Sequence, residues 1–558
     1  MKFLTYGLLI LAVGASAIVI AARFVDSRAY SAQQNQTIIA PVYLPVISVN
    51  ESIPTPIPTP IPSATSTPNA NENATATSNA TATSTSVSTA VPPTTPTSTF
   101  IPTASATATA LPTSATKGPV FPLKLASDPN ARYLVDQNNQ PVLINGDTPW
   151  SLIGQVSKED ADLYLQDTAQ RGFNSIVVTL VESHYADNAP RNFYGDDPYL
   201  EYQGGIPKFD TPNEAYFAHA DWVIQKAGAY GLQVILAPNY LGCCGDGYYD
   251  ELASSVNSLA VAQAYGTYIG NRYKNFPNLM YVWGNDVNPC GVSSDATGCA
   301  VSQKINAMAA AVKAADPNHL HTFHTSPEYS AADIKAAHNY SWIDFNITYT
   351  YIPVQGPVSD DYNRTPAQPF FLFESHYERD WNNAPPLETR KEAYVAILSG
   401  ASGNHYGNNP IWHMNSTSLN GVVDSWKNHL DDEGRADMIH VKNLFESRNW
   451  VALIPDQNHT VLTDGYGSGS DYAAAARTSD GASVIIYAPM PKELTVDMSQ
   501  ITGSQARAWW YNPRDGAAQD AGIFANSGPH VFTPPASEDW VLVIDNVDLN
   551  LAAPGTVN

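Results

Sequence analysis

Two carboxylates stand where an apolar core should stop. The stretch "YVWGNDVNP", from Tyr281 to Pro289, carries an apolar run straight into Asn285 and Asp286, and "PFFLFESHYE", from Pro369 to Glu378, ends a second one in Glu374. A carboxylate at the end of a run like "FFLFE" must be paired or put to use, because a buried unpaired charge is costly. Asp286 taken alone fits a turn or helix-capping aspartate as readily as a reacting group. Two carboxyl groups from facing elements, one a proton donor and the other a nucleophile or base, suit glycoside hydrolysis, with aromatic rings to stack on the apolar faces of sugars.

Whether these residues can face each other depends on what positions them. Short continuous apolar runs, "VLING", "NSIVVTLV", "LQVILAP", "LMYVWGND", "LHTFHTS", "FNITYTY", "PFFLFE" and "GNHYGN", read as eight buried strands. Between them lie helical patterns such as "SKEDADLYLQDTAQRG", which Ser157 and Asp160 open as a cap and Gly172 closes. Eight strand–helix units over about 330 residues match an α/β fold of the (β/α)8 TIM-barrel type. An open doubly wound sheet is the alternative, but no G-x-G-x-x-G follows the first strand to support a dinucleotide site.

A barrel gathers its chemistry at the C-terminal ends of its strands, so those ends give the candidate site. They are Asp147 and Trp150 after strand one, Glu182 and His184 after two, Asn239 and Tyr240 after three, and Asn285 with Asp286 after four. His324 follows strand five, Tyr349 and Tyr351 strand six, Glu374, Tyr377 and Glu378 strand seven, and His405, Tyr406 and Trp412 strand eight. Asp147, in "GDTPW", is expected to bind substrate hydroxyls, and Glu378 to orient Glu374 or another group next to the substrate. His184, His324 and His405 are candidates for bonding sugar or tuning the carboxylates, although a single histidine is more often structural. In "HLHTFH" three imidazoles lie close in sequence, but on a strand His319 and His321 share a face while His324 points the other way. No catalytic metal and no cofactor is expected.

The segments "VLINGDTPWSL", "YLQDTAQRGFNSIVV", "NLMYVWGNDVNP", "FLFESHYE" and "GNHYGNNPIW" resemble the apiosidase-like glycoside hydrolases of family 140, over roughly Pro122 to Trp450. "WGNDVNP" is similar to the Asn-Glu-Pro motif that ends strand four in the wider clan of retaining barrel hydrolases, with Asp in place of Glu. The resemblance implies Asp286 as acid/base, Glu374 as nucleophile and Asn285 as a donor to a sugar hydroxyl. It also raises apiose in plant pectic side chains as a substrate. Losing a methylene bears on the outcome, because a retaining pair sits about 5 to 5.5 Å apart and an inverting pair about 6.5 to 9.5 Å. Retention is the expectation.

Four cysteines, Cys243, Cys244, Cys290 and Cys299, follow strands three and four. The adjacent pair does not match zinc-ligand spacing, so disulfides at the catalytic mouth are expected, with three pairings open. The formal charge of −24, from 52 acidic against 28 basic side chains, argues against nucleic acid as a partner.

Residues 1–29 begin "MKFLTYGLLILAVGASAIVIAARF", long enough for a spanning helix or a signal peptide, and are the only expected contact with a membrane. Residues 30–117, rich in Ser, Thr and Pro, read as a disordered linker of stalk composition. An extracellular or cell-surface protein follows, tethered or released. The barrel is assigned to 118–450, and 451–558, with short period-two runs and Asp-Gly turns, to a small β-sandwich. "AWWYNPRDG", "FTPP" and "DWVLVID" resemble the collagen-binding-type module that accompanies this hydrolase family, and packing against the barrel is its expected role. The competing function is a surface carbohydrate-binding or adhesin protein with a non-catalytic barrel, which would need neither carboxylate. Oligomeric state is left open.

Overall fold

The computed structural model describes residues 118–242, 246–293, 298–380, 383–417 and 424–557, together with the backbone of 8–13 and 16–21. Short runs such as "SIVVT", "QVILA", "LMYVW" and "FFLFE" are buried along their whole length, as strands covered on both faces must be. They build β2 (Ser175–Thr179), β3 (Gln233–Ala237), β4 (Leu279–Trp283) and β7 (Phe370–Glu374). With β1 (Ile144–Asp147), β5 (His321–Phe323), β6 (Asn346–Tyr349) and β8 (Gly403–Tyr406) they form an eight-stranded sheet. Its parallel order is β5-β4-β3-β2-β1-β8-β7-β6. The two ends meet where Asp344 N donates to His321 O at 2.8 Å, which closes the ring.

A helix follows each strand: α1 (Lys158–Gln170), α2 (Glu214–Ala229), α3 (Leu259–Tyr273), α4 (Cys299–Ala315), α5 (Ala331–His338), α6 (Gln355–Tyr362), α7 (Pro386–Leu398) and α8 (Glu433–Glu446). Helix α1 starts on Ser157, whose hydroxyl accepts from Asp160 N at 3.2 Å, and ends at Gly172, which takes φ +83°. This is the expected cap pair, since a side-chain acceptor relieves the orphan first-turn N–H groups and glycine turns left without strain. At the N-terminal end of the barrel a small antiparallel sheet, Lys124–Leu125, Leu134–Val135 and Pro141–Val142, buries Leu134 and Val142 in the barrel core.

The C-terminal region is two antiparallel sheets. The larger runs in the order Leu453–Pro455, Ala474–Thr478, Ser483–Ala488, Trp540–Asn546, Gln505–Tyr511, Ala518–Ala525; the smaller joins Leu462–Asp464, Leu494–Asp497 and Pro529–Phe532. Strand alternation sends Trp510, Leu542 and Ile544 between the sheets, and Trp509, Tyr511 and Val543 toward Met438, Val441 and Phe445 of α8. The strand Ala518–Ala525 had no reading in sequence because it is an edge strand, largely exposed. Tyr394 of α7 stacks on Tyr487 at 4.9 Å, and buried ion pairs cross the same junction: Arg390 Nε to Asp539 at 2.8 Å and Arg448 Nη2 to Asp545 at 2.7 Å.

Near the N-terminus, Leu8–Val13 and Ser16–Ala21 form an antiparallel strand pair in the segment that reads in sequence as a spanning helix or a signal peptide. Short apolar runs containing Ile and Val satisfy either pattern. Among the described residues no helix is long and apolar enough to cross a membrane.

Candidate active site

The polar strand ends meet at the C-terminal mouth of the barrel. After Trp283 the chain makes three successive left-handed residues, Gly284 (φ +98°), Asn285 (φ +52°) and Asp286 (φ +67°). A Cβ on Gly284 would lie 2.4 Å from His324 O, so glycine is required there on two counts. Asn and Asp are the side-chain-bearing types that accept this backbone most readily, which is why the strand ends in them rather than in a β-branched residue. Strain of this sort persists only where the surroundings impose it, and it is common at sites of function. The Asn285 side chain is 1% exposed, with neither Oδ1 nor Nδ2 partnered. Asp286 is half-buried beside it. Burial pushes its carboxyl up to about 6 against the opposing pull of His324, and the negative charges of Glu374 and Asp246 add to the rise.

Glu374 ends β7 and is held from two sides. Tyr351 OH donates to Oε1 at 3.1 Å, and His324 Nε2 lies 3.0 Å from Oε2. Burial disfavours a charged His324, but Glu374 and then Asp286 outweigh it and hold the imidazole above its ordinary pKa. The Tyr349 hydroxyl hydrogen-bonds with Asp286 and lies 3.4 Å from Tyr351 OH, so the two tyrosines link the two carboxylates. Trp150 stacks on His324 with centroids 5.7 Å apart, and its Nε1 donates to Tyr377 OH at 2.9 Å. His324, Tyr349, Trp150 and Tyr377 therefore surround the carboxylates, as their positions at strand ends imply. The result is two carboxyl groups in one cleft, each held by different partners.

An aromatic wall continues the cleft. Tyr185 packs against Trp412 at 5.1 Å, Tyr240 at 5.4 Å and the exposed His184 at 4.7 Å. Trp412 Nε1 has no partner, and Asn239 gives Nδ2 to Tyr199 OH at 2.7 Å while its Oδ1 stays unpartnered. Glu182 is buried with Oε1 accepting from Ser183 N and His184 N, which fixes the loop that carries Tyr185. Asp246, whose carboxylate accepts from Tyr185 OH at 3.3 Å, and Glu328, on the loop after β5, were not singled out in sequence. The available signal was weak, since each is an isolated acid several residues past a strand end.

Four expected sugar ligands lie elsewhere. Asp147 is fully buried, accepting from Tyr164 OH at 2.7 Å and from Arg435 Nε at 2.9 Å on Oδ2, and from Thr148 N on Oδ1; it ties β1 to α1 and α8. His405 points into the barrel against Gly146, Phe371 and Phe373, with Nε2 3.0 Å from Ser175 Oγ, and burial pushes it down to about 3. Tyr406 OH donates to Glu378 Oε2 at 2.5 Å, beside Gly434 at the start of α8; neither orients Glu374.

The three histidines on and beside strand β5 diverge. His319 pairs with Asp316 at 2.5 Å, His321 accepts from Trp283 Nε1 at 3.2 Å, and His324 meets Glu374. Among the described residues His376, Glu388 and Glu392 bring ligand atoms within 4.8 Å of one another. His376 Nδ1 already meets Glu392 at 2.6 Å and Lys391 meets Glu388 at 2.7 Å, so their charges are balanced without an ion. Cys290 and Cys299 form a disulfide that closes the loop after β4; Cys243 and Cys244 lie outside the described residues.

A (β/α)8 barrel with paired carboxylates, an unpartnered amide and aromatic walls at its mouth defines a glycoside hydrolase. Residues 128–452 match the family described as "Apiosidase-like, catalytic domain", and the chain belongs to that family. Residues 454–545 match the family described as "Putative collagen-binding domain of a collagenase". No curated protein matches the chain. A solved structure titled "Glycoside hydrolase" is 25% identical, covering 76% of this chain and 97% of its own, with a TM-score of 0.63. A glycoside hydrolase family 5 structure from Bacteroides vulgatus shares the fold at 22% identity and a TM-score of 0.64, covering 77% of this chain and 94% of its own.

Proposed function

We propose that this hydrolase is exported and cleaves apiose-bearing side chains of plant pectin, with Asp286 as acid/base and Glu374 as nucleophile. The observation that carries the assignment is the contrast between the two carboxyl groups. Asp286 is pushed up to about 6 and so keeps a proton to give to the leaving oxygen, whereas Glu374 accepts a hydrogen bond from Tyr351 and lies against His324. Asn285 offers its unpartnered amide to a sugar hydroxyl next to the reacting carbon. Trp150, Tyr377, Glu182, His184, Asn239 and Trp412 line the approach and bind the remaining hydroxyls and ring faces. Attack by Glu374 followed by water delivered through Asp286 gives net retention. Apiose rests on the family to which the chain belongs, and export on the N-terminal composition.

The test is a panel of aryl glycosides and pectic oligosaccharides, with Asp286→Asn and Glu374→Gln as controls and product configuration read by NMR at early time. The wild type releases apiose with retained configuration, and both variants lose at least about a thousandfold in kcat. Turnover that survives in Glu374→Gln sinks the nucleophile assignment. An inverted product makes Glu374 a base, and no turnover on any member favours the carbohydrate-binding reading.

A further inference from the structure

Glu328 lies on the loop after β5 and is half-buried. Its backbone is left-handed, with φ +69°, which for a glutamate is unfavourable and needs a reason. Three bonds supply one. Glu328 N donates to Tyr349 O at 2.9 Å, Thr350 Oγ1 donates to Glu328 Oε2 at 2.7 Å, and Tyr351 N donates to Glu328 Oε1 at 3.0 Å. One residue therefore fixes three consecutive positions at the end of β6. Two of them, Tyr349 and Tyr351, carry the hydroxyls that reach Asp286 and Glu374.

We propose that Glu328 is a positioning residue for Glu374: its carboxylate clamps the Thr350 hydroxyl and the Tyr351 backbone N–H so that the Tyr351 hydroxyl stays on Glu374 Oε1. This rests on the reading of Glu374 as the nucleophile. The clamp has a plain physical logic. The segment after β6 is a loop, and without a fixed backbone the long tyrosine side chain would lose its hold on the carboxylate. A charged acceptor makes shorter and stronger bonds than a neutral one, and here both oxygens are engaged, so the carboxylate holds orientation as well as position. The left-handed φ sets the direction in which the side chain leaves the Cα, toward a hydroxyl and a backbone N–H of the segment after β6.

Three variants of the full chain separate this role from a merely structural one. Glu328→Gly relieves the backbone, because glycine accepts φ +69° freely, but removes the clamp. Glu328→Gln keeps one acceptor oxygen. Thr350→Val keeps volume and removes one of the two donors. The primary readout needs no substrate: the carbon-13 chemical shift of the Glu374 carboxyl at neutral pH, assigned by its loss in Glu374→Gln, which reports the hydrogen bond from Tyr351. Losing that donor moves the resonance most in Glu328→Gly and less in the other two. In turnover, kcat falls about tenfold in Glu328→Gly with KM within about twofold. A folded Glu328→Gly whose Glu374 carboxyl resonance is that of the wild type overturns the proposal. A wild type that cleaves nothing overturns the hydrolase mechanism and leaves the resonance to decide the clamp.

Discussion

Asp286 and Asn285 are held in conformations and surroundings that oppose stability. Asn285 keeps two buried polar atoms without partners and a left-handed backbone, and Asp286 must lose a proton in a place where burial and two other acids resist it. The folded pKa of Asp286 is raised, so the folded state binds its proton more tightly than the unfolded chain does. The residue's contribution to stability is then full below the unfolded value near 3.8 and is lost as pH rises through about 6. Asp286→Asn removes that penalty at neutral pH. It is expected to be more stable than wild type at pH 7, on the order of 1 kcal/mol after allowing for water in the cleft, and indistinguishable at pH 3.5. Urea unfolding at the two pH values checks this, and a gain equal at both would remove titration as its cause. In turnover, loss of the proton from Asp286 predicts that kcat/KM falls on the alkaline side with an apparent pKa near 6. Asn285→Ala should separate activity from stability in the same sense. It is expected to lower kcat/KM at least about a hundredfold while leaving the unfolding midpoint unchanged or higher, because the orphan amide is gone.

At the scale of elements, the strands were the most legible part of the sequence. A run such as "FFLFE" has only one way to be buried on both faces, and eight such runs separated by capped helices leave little choice of fold. Glu374 and Asp286 followed from that, since a strand end fixes the height of a residue in the barrel. Direction around the strand is a different matter. Asp147 and Asp286 both end strands, yet one meets Arg435, which lies 288 residues further along the chain, and the other meets the cleft. No local pattern contains that partner. Arg435 itself is fully buried on α8, with its guanidinium donating to Asp147, Asp167, Thr168 and Leu430 O, so it locks the last helix to the first strand and helix. Breaking a buried pair on one side leaves an uncompensated charge, and Arg435→Ala is expected to destabilise the fold by about 3–5 kcal/mol. The double variant Asp147→Asn with Arg435→Met should lose less than the sum of its parts, because the stranded charge disappears with its partner. Activity per folded molecule should fall too, since Asp147 anchors the Thr148 turn that sets Trp150. Additive losses in the double variant would mean that the two side chains stabilise the fold independently.

For the molecule as a whole, the C-terminal sheets are part of how the barrel is covered. Helices α7 and α8 present Tyr394, Met438, Val441, Leu444 and Phe445 to the larger sheet, all within 1% of full burial. Arg390 holds Asp539 and Asp437 at the same place, and Tyr511 OH donates to His440 O at 2.8 Å. Gly118, where the described barrel chain begins, sits against Gly231 just before β3, at the end of the barrel remote from Asp286. The C-terminal module flanks the barrel beside α7 and α8. Ending the chain after Ala452 would expose those apolar side chains to water. Each buried residue of this size is worth about 1.5–3 kcal/mol, so the loss exceeds the whole stability of a typical domain. The truncated barrel is expected to aggregate or remain unfolded, and the intact protein to show one cooperative transition for both regions by calorimetry. Asp539→Asn is the milder companion: it keeps an acceptor for Arg390 and Tyr487, and should lower the single transition by a few degrees without splitting it. Two resolved transitions, or a soluble barrel ending at Ala452 with full activity, would make the module an independent attachment, free to serve a ligand of its own.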